Sequence, residues 1–348
     1  MACFWKNERN AVEVCSSGRF LAVGTQGSPL FTAYARDGTT FTIIPGISTP
    51  SNAHGNGVAF SPDDTLMAVA YNQHPYFTVY DCSVVPFVEI AGISVPSAST
   101  AVGARGAAFS PDSTMLAVTY NAHAVSPNLS VYERSGTTFT QPYSITPPAI
   151  GCNKVAFSPD GTLLAVAHGY LLGTAHFTVY SISGTTFTTI SGIAALPNSS
   201  YGIAFSPDGT LLAVAHDGSP YLTVYSVSGT TLTPLTGIPA LSGAGFNVAF
   251  SPDGTLLAVA HDTAPYLTVY SVTGTTFTAV TGITSPPSTG WSVAFSTDGT
   301  LMAVGHSTTP YLTVYSVTGT TFTAVTGIPA LPTNGVFTPD GLSVAFSP

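Results

Sequence analysis

One repeated phrase constrains the fold of this chain more than any other feature. The phrase VAFSPDGTLLAVAH recurs in close variants, and successive copies lie 45 to 49 residues apart. Its phenylalanine anchors six units, at Phe60, Phe109, Phe157, Phe205, Phe250 and Phe295. Val14, in VEVCSSGRFLAVG, fits one unit earlier. This period is typical of four-stranded propeller blades. The sequence therefore predicts an all-β, seven-bladed β-propeller that spans residues 1–348 as a single domain.

The unit anchored at Phe250 shows how each repeat predicts four strands, here called A to D. Its predicted strands are Asn247–Phe250, Leu256–Ala260, Tyr266–Val272 and Thr276–Thr281. The turn between strands A and B, Ser251-Pro-Asp-Gly254, has residues that a type I turn favours and a glycine free to take positive φ. Strand B is apolar on both faces, which indicates burial between neighbouring blades.

The A–B turns also contain a repeated aspartate that could suggest carboxylate chemistry. The turn accounts for these residues, because aspartate side chains bond the backbone of such turns. We therefore predict turn roles, not catalytic ones, for Asp63, Asp112, Asp160, Asp208, Asp253 and Asp298.

The C-terminal segment, residues 335–348, reads GVFTPDGLSVAFSP and repeats the start of a unit, with Phe337 at the anchor. We expect this partial unit to close the ring against the first blade. A partial eighth blade formed with residues 1–6, or the end of a longer repeat array, are the alternatives that the sequence leaves open.

Charge is scarce, and this excludes several classes of partner. The chain has 7 Lys and Arg against 16 Asp and Glu, so its net charge is -9, although 45% of its residues are hydrophobic. So few basic groups cannot neutralise many phosphates, and we predict no nucleic-acid partner. The uncharged stretch 263–297 is rich in Thr, Ser, Gly and Pro. We therefore predict no membrane insertion, and no secretory signal peptide is visible.

The cysteines show no metal-binding spacing, and we predict no metal and no cofactor. Small buried hydrophobes are the favoured interpretation of these residues, although three disulfide pairings are formally open for Cys3, Cys15, Cys82 and Cys152.

The segment SPDGTLLAVAHDGSPYLTVYSVSG (206–229) resembles repeats of the WD-repeat-like and YVTN/lactonase-like β-propeller superfamily, and similar segments cover nearly the whole chain. Where WD repeats end strand C with Trp-Asp, this chain has Tyr-Ser, as in Tyr225-Ser226. That departure argues against the usual scaffold role. The segment PYLTVYSVTGTTFT (265–278) is also similar to tandem units of bacteriophage tail and virion propeller proteins. This resemblance implies a structural or host-attachment role.

Two rings of residues are candidate sites on the face that carries the D–A and B–C connections. The first ring lies four residues before each anchor, starts at Asn10, and is predicted to bind a ligand or partner through Asn56, Arg105, Asn153, Tyr201, Phe246 and Trp291. The last three could form an aromatic platform that suits a sugar or an apolar side chain. Aromatic side chains that merely plug the channel mouth are the alternative.

The second ring follows strand B and contains Thr25, Tyr71, Tyr120, His168, His216, His261 and His306. Histidines bind metals and titrate near neutral pH. Successive blades hold them too far apart to share one ion, however. We predict a structural role in which each histidine bonds the B–C loop of its blade. The other four histidines are assigned to surface loops, namely His54, His74, His123 and His176.

These features favour a non-enzymatic structural or recognition protein, associated with a virion or an extracellular surface. Its expected partners are other virion or surface proteins and a host glycan. The alternatives are a lactonase-like bacterial propeller enzyme and a bacterial scaffold in the cytoplasm. Against an enzyme, the first ring offers one cation, Arg105, and no carboxylate.

Overall fold

The fold was examined in a computed structural model that describes residues 19–25, 29–50, 53–95, 103–121, 128–143, 145–169, 176–331 and 343–348. Every regular element in these ranges is a β-strand. The strands form seven antiparallel four-stranded sheets, the blades of a β-propeller. None of the described residues belongs to a helix that could cross a membrane.

The strands are numbered along the chain and fall into four sets. The A strands, which surround the central channel, are β4 (Gly55–Phe60), β8 (Ala104–Phe109), β12 (Cys152–Phe157), β16 (Ser200–Phe205), β20 (Gly245–Phe250), β24 (Gly290–Phe295) and β28 (Ser343–Phe346). The B strands are β1 (Phe20–Gly24), β5 (Leu66–Tyr71), β9 (Met115–Tyr120), β13 (Leu163–His168), β17 (Leu211–His216), β21 (Leu256–His261) and β25 (Leu301–His306).

The C strands are β2 (Phe31–Asp37), β6 (Phe77–Asp81), β10 (Leu129–Ser135), β14 (Phe177–Ser183), β18 (Leu222–Ser228), β22 (Leu267–Thr273) and β26 (Leu312–Thr318). The outer D strands are β3 (Thr40–Ile43), β7 (Val88–Glu89), β11 (Thr138–Thr140), β15 (Thr186–Thr189), β19 (Thr231–Pro234), β23 (Thr276–Ala279) and β27 (Thr321–Ala324). The predicted strands of the sixth blade thus agree with the structure to within two residues at each end.

Blade 1 is assembled from the two ends of the chain. Strand β28 pairs with β1, so the C-terminal segment supplies the inner strand of the blade that β1, β2 and β3 begin. Phe346 pairs with Leu21 in the register that anchor residues have in other blades, such as Phe157 with Leu164. The predicted closure of a seven-bladed ring is confirmed. Val14 and Phe337 lie outside the described residues.

Strand B holds the blades together because its two faces enter two different cores. In β21, Leu257 and Val259 pack with residues of blade 5, whereas Leu256 and Ala258 pack with residues of blade 7. All six residues of β21 are buried. Each such strand therefore stabilises two interfaces, and this explains how an apolar, weakly charged chain hides its hydrophobic residues.

The A–B turns have the predicted geometry. In blade 6 the Ser251 hydroxyl donates to Asp253 Oδ1 at 2.5 Å and accepts from the Leu256 amide at 2.9 Å. The Thr255 amide also donates to Asp253 Oδ1, at 3.0 Å. Gly254 has a φ of 70°. The repeated aspartates are thus held within their turns, on the face opposite the candidate rings.

A buried tyrosine in the middle of strand C stands where WD repeats have tryptophan. Tyr225 is 1% exposed, and its hydroxyl donates to the Ala194 carbonyl oxygen at 2.9 Å. Ala194 lies in the connection that enters the blade from its predecessor. Tyr270 and Tyr315 make equivalent bonds to Pro239 and Thr284, so the tyrosine ties each blade to the incoming chain.

Replacement of Tyr225 by Phe is expected to lower the free energy of unfolding by about 1 kcal/mol, since it removes one buried hydrogen bond while keeping the ring. Urea unfolding followed by circular dichroism measures the change. Tyr266→Phe is the control, because the Tyr266 side chain is only partly buried. Equal stability of Tyr225→Phe and wild type would show that this bond does not stabilise the blade.

Two of the cysteines are described, Cys82 and Cys152, and both are buried free thiols. Burial raises the pKa of each thiol, as expected for small hydrophobic side chains in a core.

Candidate functional site

The first ring is created by a β-bulge that recurs at the start of six A strands. In blade 5, Ser200 pairs with His216 and Gly202 pairs with Ala215, so Tyr201 is the extra residue of the bulge. A bulge re-aims the side chain of its extra residue. The same register shift occurs in the other five blades concerned. Each predicted binding residue is therefore the extra residue of a bulge, namely Asn56, Arg105, Asn153, Tyr201, Phe246 and Trp291.

Three of these residues form a continuous aromatic arc. The Tyr201 and Phe246 rings meet edge to face, with centroids 5.6 Å apart. Phe246 stacks on Trp291 at 4.4 Å. The Trp291 indole also donates to the Ser307 hydroxyl at 2.9 Å, which orients the ring. All three side chains are partly exposed, so the predicted contiguity of the arc is found in the structure.

Two asparagines of the first ring, Asn56 and Asn153, connect neighbouring blades, whereas Asn10 lies outside the described residues. Asn56 Nδ2 donates to the Ala104 carbonyl oxygen and Asn153 Nδ2 donates to the Ser200 carbonyl oxygen, both at 2.8 Å. Each acceptor belongs to the A strand of the next blade. These amide donors therefore serve the ring of blades itself.

A carboxylate that the sequence analysis missed lies beside the arc. Asp217 follows β17, and its Oδ2 accepts a hydrogen bond from the Tyr201 hydroxyl at 3.3 Å. Its Oδ1 is buried without a hydrogen-bond partner among the described residues. Burial raises the pKa of Asp217 above its usual range, and the Tyr201 bond opposes that rise. The available signal in the sequence was the dipeptide His216-Asp217, which does not by itself place the carboxylate beside Tyr201.

Two cationic residues come from the adjacent blades. Arg105 is the bulge residue of blade 3. Lys154 follows the bulge of blade 4, at a position where the other blades have Gly57, Gly106, Gly202, Asn247, Ser292 and Ser343. Crowding by the inner strands desolvates the Lys154 amine and lowers its pKa to about 8. The candidate site therefore takes Arg105 from blade 3, Lys154 from blade 4 and the Tyr201–Asp217 pair from blade 5.

The histidines of the second ring are buried and bond strand C of their own blade, a partner that was not predicted. The Nε2 atoms of His216, His261 and His306 lie 2.9 Å from a threonine hydroxyl on strand C of the same blade. His168 has the same partner at 3.1 Å. The predicted contact with the B–C loop is also present, since His168 Nδ1 lies 3.3 Å from the Gly169 carbonyl oxygen. Backbone hydrogen bonds of Gly218 and Thr308, in the B–C loops of their blades, oppose the effect of burial on the pKa of His216 and His306. Among the described residues, no group of His, Cys, Asp or Glu side chains could hold a metal ion.

The assignment of four other histidines to surface loops was wrong for one of them. His176 is 5% exposed. Its carbonyl oxygen accepts hydrogen bonds from the His168 amide at 3.2 Å and from the Ser200 hydroxyl, so it is held at the start of strand C. His74 is exposed and His54 is partly buried. His123 lies outside the described residues.

The buried histidines predict a loss of stability in acid. Burial lowers the pKa of His168, His216 and His306 to about 4, whereas an unfolded histidine titrates near about 6.5. The unfolded chain therefore binds protons first as pH falls. We expect the free energy of unfolding to be highest above about pH 6.5 and to fall towards pH 4, by up to about 3 kcal/mol for each histidine. Urea unfolding at several pH values, compared with that of His306→Gln, measures this: an unchanged pH slope in the variant would contradict it.

Comparisons with known proteins add the fold relationship. No family model and no curated protein sequence matches the chain. A Bacteroides fragilis protein provisionally named a 6-phosphogluconolactonase superposes with a TM-score of 0.70 at 12% identity, covering 95% of this chain and 98% of its own. A protein of the same provisional name from Bacteroides uniformis has a TM-score of 0.69 at 12% identity, with 89% and 96% covered. The periplasmic gluconolactonase of Pseudomonas aeruginosa has a TM-score of 0.65 at 17% identity, with 94% and 99% covered.

The chain has the fold of the lactonase-like propellers. At these identities the likeness concerns the fold alone. The names of these neighbours nevertheless overturn our prediction of a non-enzymatic, virion-associated protein and favour the lactonase-like alternative. That prediction was wrong because the repeated sequence segments reflect the propeller scaffold, whereas the chemistry of a site depends on the particular residues that the scaffold carries.

Proposed function

We propose that the protein hydrolyses a sugar lactone at the mouth of its central channel. The observation that carries this proposal is the Asp217 carboxylate, which Tyr201 holds at 3.3 Å beside the arc and whose pKa is raised by burial. A carboxylate with a raised pKa is a stronger base than an ordinary surface aspartate. Lactone hydrolysis needs such a base, because the attacking water must lose a proton as it adds to the carbonyl carbon.

The neighbouring blades supply groups that suit the rest of this reaction. Water addition places negative charge on the carbonyl oxygen, and cationic groups fixed nearby stabilise that charge. Arg105 and Lys154 are the candidates for this role. Collapse of the tetrahedral intermediate breaks the bond from the carbonyl carbon to the ring oxygen. The proton taken up by Asp217 then returns to that oxygen, which leaves as the hydroxyl of the sugar acid.

The aromatic arc suits the substrate class. A sugar ring has an apolar face of C–H groups, and aromatic rings bind such faces through flat contacts. Phe246 of the next blade contacts Tyr201, the residue that bonds Asp217, and Trp291 of the blade after it stacks on Phe246. A sugar held on the arc would present its ester to the carboxylate. The lactonase names of the structural neighbours support the same reaction class.

A lactone panel tests the proposal. The purified protein would be mixed with D-glucono-1,5-lactone, its 6-phosphate and two unrelated aldonolactones, and proton release would be followed with a pH indicator. We expect saturable hydrolysis above the spontaneous rate for at least one sugar lactone. Rates equal to the spontaneous rate across the panel, with a folded protein by circular dichroism, would refute the proposal.

A further inference from the structure

Two junctions between blades are filled by a buried arginine from strand C. Arg134 of blade 3 donates from Nη1 to Asp63 Oδ2 at 2.7 Å and from Nη2 to Thr65 Oγ1 at 2.8 Å, both in the A–B turn of blade 2. Its Nε donates to the Gly136 carbonyl oxygen at 2.8 Å. The Arg134 side chain is only 8% exposed.

Arg36 repeats this arrangement at the junction of blades 7 and 1. Its Nη2 donates to Asp298 Oδ2 and Thr300 Oγ1, both at 2.9 Å, and its Nε donates to the Gly38 carbonyl oxygen at 2.9 Å. The side chain is 6% exposed. An aspartate and a threonine of one blade, with a glycine carbonyl of the next, therefore form a guanidinium site that the fold builds twice.

The junction of blades 5 and 6 keeps this set of acceptors but lacks the arginine. Val272 occupies the register position of Arg134: it pairs with Phe277 as Arg134 pairs with Phe139. Asp208 and Thr210 of blade 5 correspond to Asp63 and Thr65, and Gly274 corresponds to Gly136. Because valine is short, the space that the arginine fills elsewhere is left as a groove.

The groove has a volume of about 560 Å³, and its lining includes Asp208, Thr210, Val272 and Gly274. Asp208 Oδ2 accepts a hydrogen bond from the Thr210 hydroxyl at 2.9 Å, whereas Asp63 Oδ2 accepts the Arg134 guanidinium at 2.7 Å. Hydrogen bonds from Ser206 and Thr210 lower the pKa of Asp208, so the carboxylate is charged at neutral pH. Asp253 of blade 6 also lines the groove and adds negative charge.

We propose that the groove between blades 5 and 6 binds an arginine side chain of a basic partner polypeptide, in the manner of Arg134 at the junction of blades 2 and 3. A chain of net charge -9 attracts such a partner. Planar guanidinium groups match a carboxylate and a hydroxyl at fixed spacing better than an ammonium does. The site lies on the face of the A–B turns, opposite the channel mouth, so it is independent of the proposed lactone hydrolysis.

The junctions on either side of this groove have equivalent residues. Val227 and Val317 occupy the register position of Arg134 in blades 5 and 7. The preceding blades keep the aspartate and threonine of the turn, as Asp160 and Thr162 in blade 4 and Asp253 and Thr255 in blade 6. A peptide with several arginines could engage more than one junction, which raises its apparent affinity through effective concentration.

Fluorescence polarisation with a labelled triarginine peptide, and with trilysine of equal charge, tests the proposal. We expect wild type to prefer triarginine by about fivefold or more, since only guanidinium forms the forked contact. Asp208→Asn and Val272→Arg should each weaken triarginine binding by about fivefold or more, the first by removing the acceptor and the second by filling the groove.

Thr42→Arg is the control, because it adds the same charge at an exposed residue of β3 in blade 1. Equal weakening by Thr42→Arg and Val272→Arg, equal binding of the two peptides, or no binding to wild type would each overturn the proposal. Thermal unfolding supplies a second readout. Val272→Arg should melt at least as high as Val272→Gln if the introduced arginine finds the acceptors, and a lower melting temperature would contradict the site.

Discussion

A chain that ends at residue 342 is expected to lose about 5 kcal/mol or more of unfolding free energy, because two large apolar side chains and a whole ladder of backbone hydrogen bonds are removed from blade 1. Strand β28 pairs with β1 from Gly24 to Leu21. Val344 and Phe346 are 5% and 7% exposed and pack in the core between blades 7 and 1.

The same strand also joins blade 1 to both of its neighbours. The Val344 amide donates to the Ser292 hydroxyl of blade 7 at 3.0 Å, and the Ser343 hydroxyl accepts from the Val58 amide of blade 2 at 3.3 Å. Without β28 the ring has an unpaired inner edge, and the cores on both sides of blade 1 are opened to water.

Guanidinium chloride unfolding, followed by tryptophan fluorescence, measures this loss, since Trp291 packs against the same core. Ser347→Ala is the control, because it removes only the hydroxyl that accepts the Phe20 amide at 3.0 Å. A synthetic peptide of residues 343–348 should restore part of the stability when added in trans. An unfolding midpoint of the truncated chain equal to that of wild type would show that the ring does not depend on this closure.

Asp217→Asn is expected to reduce kcat/KM for the sugar lactone by about 10²- to 10⁴-fold, since an amide cannot accept the proton of the attacking water. The change keeps the shape of the side chain and an oxygen for the Tyr201 hydroxyl. Burial raises the pKa of Asp217, so its ionised form destabilises the fold at neutral pH. The variant should therefore be at least as stable as wild type, which separates lost chemistry from lost folding.

Asp262→Asn is the matched control for this measurement. Asp262 follows the ring histidine of the next blade, but it is exposed, and its carboxylate accepts the hydroxyl of the adjacent Thr263 at 2.9 Å. We expect less than a twofold change. Wild-type activity should fall in acid as Asp217 becomes protonated, and Asp217→Asn should lack that limb of the pH profile. Equal rates for the two variants would remove Asp217 as the base, whereas an inactive wild type would remove the reaction itself.

Local features of the sequence predicted most of the scaffold. Turn residues such as Ser251-Pro-Asp-Gly254 set the backbone conformation of the residues next to them. Strand B of each unit is apolar on both faces. Both signals repeat through the chain, so the number of blades and the strand bounds followed from them. The positions of the six bulge residues were also identified, because they vary while the Ala-Phe end of the A strand is constant.

The site chemistry could be predicted only in part. The bulge that exposes Tyr201 has no distinct signature in the sequence, since it is a shift in pairing between β16 and β17. Asp217 was visible beside His216, but nothing in the order of residues places it against a side chain 16 positions earlier. The threonine partners of the ring histidines were missed for the same reason.

The sequence by itself determined the blades, because strands and tight turns depend on residues close together in the chain. Only the tertiary structure decided what the blades form together. Ring closure brings Ser343 to Val58, Arg36 to Asp298, and the aromatic side chains of blades 5, 6 and 7 into contact. These contacts join residues up to hundreds of positions apart, and their geometry depends on how seven twisted sheets fit around one axis.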